Sequence, residues 1–216
     1  MLSDKFAEFY VDGVLFLKSA LIGLSIAAPV GPIGLLCIQR TLSHGARIGF
    51  ISGLGAACAD ACFGMIGAFG VAAITQTFVA LAQPLALAGS ALLIWMGVKL
   101  LRTPAQQQAA KARETVKALP AFSSVYALTM TNPLTILSFV AVFSALGAGA
   151  AADASRAALM VVGVFTGSAL WWLGLSVTVA AIRHRISARI MRRVNQAASL
   201  FLLGFALWQI ARVLLA

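Results

Sequence analysis

The sequence predicts an all-α integral membrane protein: six transmembrane helices, arranged as two inverted three-helix repeats, with a proline-broken first helix in each half. Three observations carry this expectation. Of 216 residues, 61% are hydrophobic and only 10% charged, whereas a soluble domain usually gives about a quarter of its residues to Asp, Glu, Lys and Arg. The charges fall between long apolar runs, and about 20 apolar residues are what a helix needs to cross a hydrocarbon core. Proline interrupts the first run of each half, at Pro29 and Pro32 and again at Pro133. Six spans with short connections use up residues 1–216, which are therefore expected to form a single transmembrane domain.

The first span is predicted from Val14 to Thr41, interrupted by Ala28-Pro29-Val30-Gly31-Pro32. The second runs from Ile48 to Ile74, and the third from Leu81 to Leu101 with Lys99 and Arg102 at its end. The polar stretch Thr103–Leu119 is the one candidate linker. The fourth span covers Phe122–Leu146 and contains Asn132-Pro133; a Gly/Ala-rich turn with Asp153 precedes the fifth, Ala157–Ile182. The basic segment Arg183–Arg193 then leads to the sixth, Val194–Leu215. Repeat 1 is thus residues 14–101, the linker 102–119 and repeat 2 residues 122–215. The second span of each half opens with G-x-x-x-G, Gly49–Gly53 and Gly163–Gly167, and the third carries a mid-helix glycine, Gly97 or Gly204. Because three is odd, two such halves in one chain must be inverted. Secondary transporters use this architecture and bind their solute where the halves meet.

Charge sets the orientation. The connections after the first, third and fifth spans hold twelve Lys and Arg residues, and the other side holds four. Lys and Arg accumulate in cytoplasmic loops, so both termini are expected on the side of the membrane away from the cytoplasm. The net charge of +10 has the same cause. Without a basic patch interleaved with aromatics, it does not indicate nucleic acid. Asp4, Glu8 and Asp12 stand where a signal peptide would be positive, so no removable leader is expected.

Proline in a helix removes a backbone donor, and in a membrane the freed groups must face protein or a water-lined cavity. Matched breaks in inverted halves point to a mid-membrane binding site; the plainer alternative is that the prolines only kink their helices. Half-helices starting there aim N–H groups and a positive dipole end at an anion, such as a substrate carboxylate. Asp60 is the only acid deep within a span. Such a group costs roughly 2.5–3.5 kcal/mol to insert and should face the interior, where it can meet a substrate ammonium, carry a proton, or serve as a structural hydrogen-bond acceptor. Cys58 and Cys62 lie one turn apart on the same face. They can hold a soft metal or act as small buried packing residues, and Cys37 has no counterpart in the other half. The G-x-x-x-G pairs allow close helix packing. Trp171 and Trp172, set mid-span, can pack or line the pathway. Arg40, His44 and Arg47 flank the first cytoplasmic turn, where a topological role is the default. No nucleophile–base pair, metal-protease helix or P-loop is present, so neither an enzyme nor ATP hydrolysis is expected, and no cofactor.

These residues together resemble the LysE/RhtB-type exporters. The resemblance rests on Pro29-Val30-Gly31-Pro32, Ser43-His44-Gly45-Ala46-Arg47-Ile48-Gly49, Gly53-Leu54-Gly55 and Asp60. Gly97, Asn132-Pro133-Leu134 and Trp171-Trp172 continue it. It covers nearly the whole chain. It implies a small bacterial inner-membrane protein, often dimeric, that exports amino acids or related metabolites on an ion gradient. It also implies that the proline region, Asp60 and the Asn-Pro break belong to the pathway. The sequence departs from the commoner pattern twice: Val30 is inserted into a Pro-Gly-Pro, and Ile33 replaces a following asparagine. Related groups export cadmium or other cations, so the family leaves the substrate class open.

The expected function is ion-coupled export by alternating access, with the proton as the expected ion. The expected substrate-binding residues are Pro29, Gly31, Pro32, Asp60, Asn132, Pro133 and Trp172, with Asp60 also coupling the ion. A metal-cation exporter using Cys58, Asp60 and Cys62, or a non-transporting scaffold presenting its glycine faces, are the alternatives.

Overall fold

The computed structural model describes residues 2–29, 31–68, 81–102, 117–146, 153–183 and 187–215. Val30, residues 103–116 of the linker, the turn at 147–152, the end of the second predicted span (69–74) and residues 184–186 of the basic segment lie outside the described residues. The described helices are α1 (Leu2–Ala27), α2 (Pro32–His44), α3 (Ala46–Ala68), α4 (Ala82–Arg102), α5 (Ala118–Met130), α6 (Pro133–Leu146), α7 (Ala154–Ile182) and α8 (Ala188–Leu214). No strand occurs among the described residues. Among the described residues five helices are long and apolar enough to cross a membrane, and α5 with α6, bent by 61° at their junction, makes a sixth when counted as one span.

Both breaks follow from proline chemistry. A residue before proline is pushed out of the α region, and α1 stops at Ala27 with Ala28 preceding Pro29. Gly31 is extended (φ −103°), and Pro32 takes the first helical position of α2, where a missing N–H costs nothing. Asn132 and Pro133 repeat the pattern between α5 and α6. There the Asn132 side-chain oxygen accepts from the Leu134 N–H at 3.1 Å, a helix N-cap.

Two helices start earlier than the apolar runs do. α1 begins at Leu2, since Asp4, Lys5 and Glu8 do not prevent a helix. α8 takes in Arg189, Arg192 and Arg193 because Ser187 caps it, accepting from the Ile190 N–H at 3.3 Å, and arginine is a good helix former. Asp153 opens α7 by accepting from the Arg156 N–H at 2.8 Å. This bond, ahead of the Ser155 hydroxyl, holds the carboxyl below its usual range. The Arg156 side chain reaches Asp12 at 3.3 Å and ties α7 to α1.

α7 packs along α1 and α3; α3 also packs along α5, and α4 along α8. Without a hydrophobic driving force between helices in lipid, close approach through small residues carries the association. Gly163 and Gly167 admit the backbone of α1 at Phe16 and Ala20, Gly23 lies on the backbone of Val164, and Gly55 lies on that of Phe122 and Tyr126. Gly53 meets the ring of Trp172, and Gly49 meets Thr41 and Ser176. Both G-x-x-x-G pairs are thus used inside the chain. The third-span glycines are not equivalent. Gly97 packs on Leu203, and its carbonyl accepts from Ser199 Oγ at 2.7 Å, whereas Gly204 faces open space. Gly45, between α2 and α3, has φ +91°, the left-handed region where a side chain is strained.

Candidate functional site

The two proline breaks converge. Between them lies a cavity of about 290 Å³, walled by Pro29, Gly31 and Pro32 from the first break and by Asn132, Thr135 and Ser138 from the second. α3 contributes Asp60, α7 contributes Trp172, and α8 contributes Phe201 and Phe205. Six of the seven residues singled out from the sequence therefore share one cavity. Pro133 is not on its wall; it starts α6 and so places Leu134 and Thr135 there.

Asp60 is 3% exposed, and its Oδ2 accepts from Ser168 Oγ at 2.7 Å. Ser168 is the midpoint of α7, which puts the carboxylate at half-depth. Among the described residues no Lys, Arg or His pairs with it. A buried carboxylate satisfied by one neutral hydroxyl retains acceptor capacity for a cation or proton. Trp172 is likewise buried, and among the described residues its indole N–H has no acceptor. A buried donor of that kind costs about 1–3 kcal/mol when left unmade, so it is ready for an acceptor arriving in the cavity.

The half-helix ends differ. At α6 the Asn132 side chain already occupies the Leu134 N–H. At α2 the N-cap is Gly31, which has no side chain to offer, and Ile33 and Gly34 of the first turn both line the cavity. The positive end of α2 is therefore the uncapped one, and anions favour such ends. Phe201, Phe205, Ile26 and Leu134 make much of the wall apolar.

Other residues lie elsewhere. Cys58 and Cys62 are half-buried and off the cavity wall, with Cys62 Sγ 3.6 Å from Tyr126 Oη. Among the described residues no group of three or more His, Cys, Asp or Glu is placed to hold a metal. Trp171 packs against the main apolar cluster. Three features of the structure were not expected from the sequence. Ser168, one serine in an apolar helix, carries no signal of its own, and neither do the α8 phenylalanines. Arg40 does: instead of projecting into solvent, it donates to Ser52 Oγ (3.0 Å), the Ala121 carbonyl (2.7 Å) and Ser124 Oγ (2.8 Å). Its position just inside the expected end of the first span, Thr41, was the clue.

Apolar spans closed around a small cavity of mixed polarity, with a lone carboxylate at half-depth, are the construction of a membrane transporter rather than an enzyme. The chain belongs to the LysE type translocator family, whose model matches residues 24–211. It is 26% identical over 200 residues to YcgF of Bacillus subtilis, a protein named for amino acid efflux, covering 90% of this chain and 94% of that one. It is 29% identical over 140 residues to the leucine efflux protein of Salmonella typhimurium, covering 64% and 65%. It is also 28% identical over 109 residues to the uncharacterized membrane protein YahN of Escherichia coli, covering 50% and 49%. No solved structure matches the chain. It is a multi-pass membrane protein of a bacterial transporter family.

Proposed function

We propose that the chain exports small neutral amino acids from the bacterial cytoplasm by proton-coupled alternating access, with the cavity as the binding site. The observation that carries this is the meeting of both proline breaks around Asp60. The substrate carboxylate docks at the uncapped first turn of α2, beside Gly31 and Pro32, within reach of the Trp172 indole N–H. The ammonium turns toward Asp60. The side chain lies against Phe201 and Phe205. Once the substrate has left, Asp60 takes a proton for the return step. Asn132 and Pro133 hold the second break open and shape the opposite wall. A volume of about 290 Å³ lies just below the roughly 300–1,000 Å³ range of small-molecule sites, which favours an amino acid over a peptide.

The inverted repeat is supported by the packing: α1 on α7 is mirrored by α5 on α3, and α3 with α7 and α4 with α8 pair counterpart with counterpart. Residues 14–101 and 122–215 are then the two halves of one domain. Trp95 with Lys99 on α4 and Trp208 with Arg212 on α8 form matching cation–π pairs at 4.8 and 5.3 Å; in an inverted pair they anchor opposite interfaces. The cation distribution favours both termini outside, and the family resemblance a homodimer in the inner membrane.

The test is efflux from proteoliposomes loaded with a panel of amino acids, dipeptides, zinc and cadmium. Efflux of neutral amino acids, stimulated by an opposing proton gradient and retained in Cys58→Ala/Cys62→Ala, is expected. Metal efflux lost in that double variant would replace this reading with cation export, and no flux of any solute would leave a scaffold.

A further inference from the structure

Arg40 lies at a level common to three helices. It is eight residues beyond Pro32 on α2; Ser52 is eight residues before Asp60 on α3; Ser124 is eight before Asn132 on α5. At 1.5 Å per residue, each is about 12 Å along its helix from that residue, and about 6–9 Å from the nearest wall residues, Gly34, Ala56 and Thr129. The side chain thus sews α2 and α5, the two half-helices on that side of the breaks, to each other and to α3. Between this cluster and the cavity the chain is packed shut by Leu36, Cys37, Val125 and Leu128, all 5% exposed or less.

We propose that Arg40 is the latch of the gate on the cation-rich side, a positioning residue that holds α2 and α5 together while the cavity is closed to the cytoplasm. The inference rests on the transport reading above. The chemistry suits a bond that is made and broken each cycle. The partners are two hydroxyls and a carbonyl, and among the described residues no carboxylate pairs with Arg40. A buried ion pair opened by removing one partner would strand a charge; a guanidinium released by neutral acceptors needs only water. Both serines already donate along their own helices, Ser52 to the Ile48 carbonyl at 2.9 Å and Ser124 to the Pro120 carbonyl at 2.7 Å. Opening the gate therefore orphans neither hydroxyl.

Cys37, fully buried one turn above Arg40 on α2, is a built-in reporter. In a Cys58→Ala/Cys62→Ala background, maleimide labelling of Cys37 is measured in inside-out vesicles without substrate. Arg40→Gln is expected to raise the labelling rate by at least about tenfold, the effect of losing hydrogen bonds to a charged group. Ser124→Ala raises it less, and Arg40→Lys restores most of the protection. Unchanged labelling in Arg40→Gln and Ser124→Ala, with melting temperatures lowered or not, overturns the latch. If Arg40→Gln does not fold, Ser124→Ala and Ser52→Ala decide by the same labelling. Labelling is read without substrate, so a raised rate in a protein that carries no amino acid would sink the substrate assignment and leave the gate standing.

Discussion

Asp60→Asn is expected to slow amino acid efflux from proteoliposomes by roughly ten- to a hundredfold, the range for losing a charge-assisted hydrogen bond, and to abolish its dependence on the proton gradient. The substitution keeps the shape of the side chain, and its amide oxygen can still accept from Ser168. The protein should therefore fold. Its melting temperature should hold or rise, because a buried carboxylate costs roughly 2.5–3.5 kcal/mol at mid-membrane. Loss of transport without loss of stability is the signature of a functional acid. Wild-type flux with intact proton dependence would reduce Asp60 to a structural acceptor.

The second large effect is on stability. A methyl group at Gly167 would run into the carbonyl of Ala20, which is backbone and cannot swing aside. Gly167→Ala must therefore push α1 away from α7, along the helix pair that positions Asp60's partner Ser168. Overpacking of this kind costs typically 1–3 kcal/mol, and here it comes with lost helix contact. Gly174 and Gly204 have nothing within 4 Å of the corresponding site, so alanine there should be neutral or mildly stabilising through helix propensity. Melting in detergent of the three variants separates the cases. Equal melting temperatures for Gly167→Ala and Gly174→Ala would mean that α1 and α7 do not pack as described.

The helices were legible because their length is set by the thickness of the bilayer and their apolar runs are long. The breaks were legible because proline acts on its own backbone: Pro29, Pro32 and Pro133 mark the helix ends without reference to any neighbour. Asp60 stood out because a deep carboxylate is expensive. What the sequence concealed depends on which face meets which. Gly97 and Gly204 look alike in sequence, yet one packs on Leu203 and the other faces open space. Ser168 matters only because Gly49, Gly53 and Asp60 on α3 run antiparallel to it. Asn132 and Gly31 both precede a proline, but only Asn132 caps the helix it opens, so the two half-helix ends become unequal for a reason visible only as a hydrogen bond. Arg40 read as a loop cation until its three acceptors on α3 and α5 were in view.

In the proposed mechanism one amino acid sits between the first turn of α2 and the carboxylate of Asp60. The direct measurement is a crystal structure of the protein with the amino acid it exports most rapidly. The ligand's carboxylate is expected at the Ile33 and Gly34 N–H groups, its ammonium within hydrogen-bond distance of Asp60, and its side chain on Phe201 and Phe205. An amino acid bound anywhere outside this cavity, or bound within it with its ammonium turned away from Asp60, would contradict it.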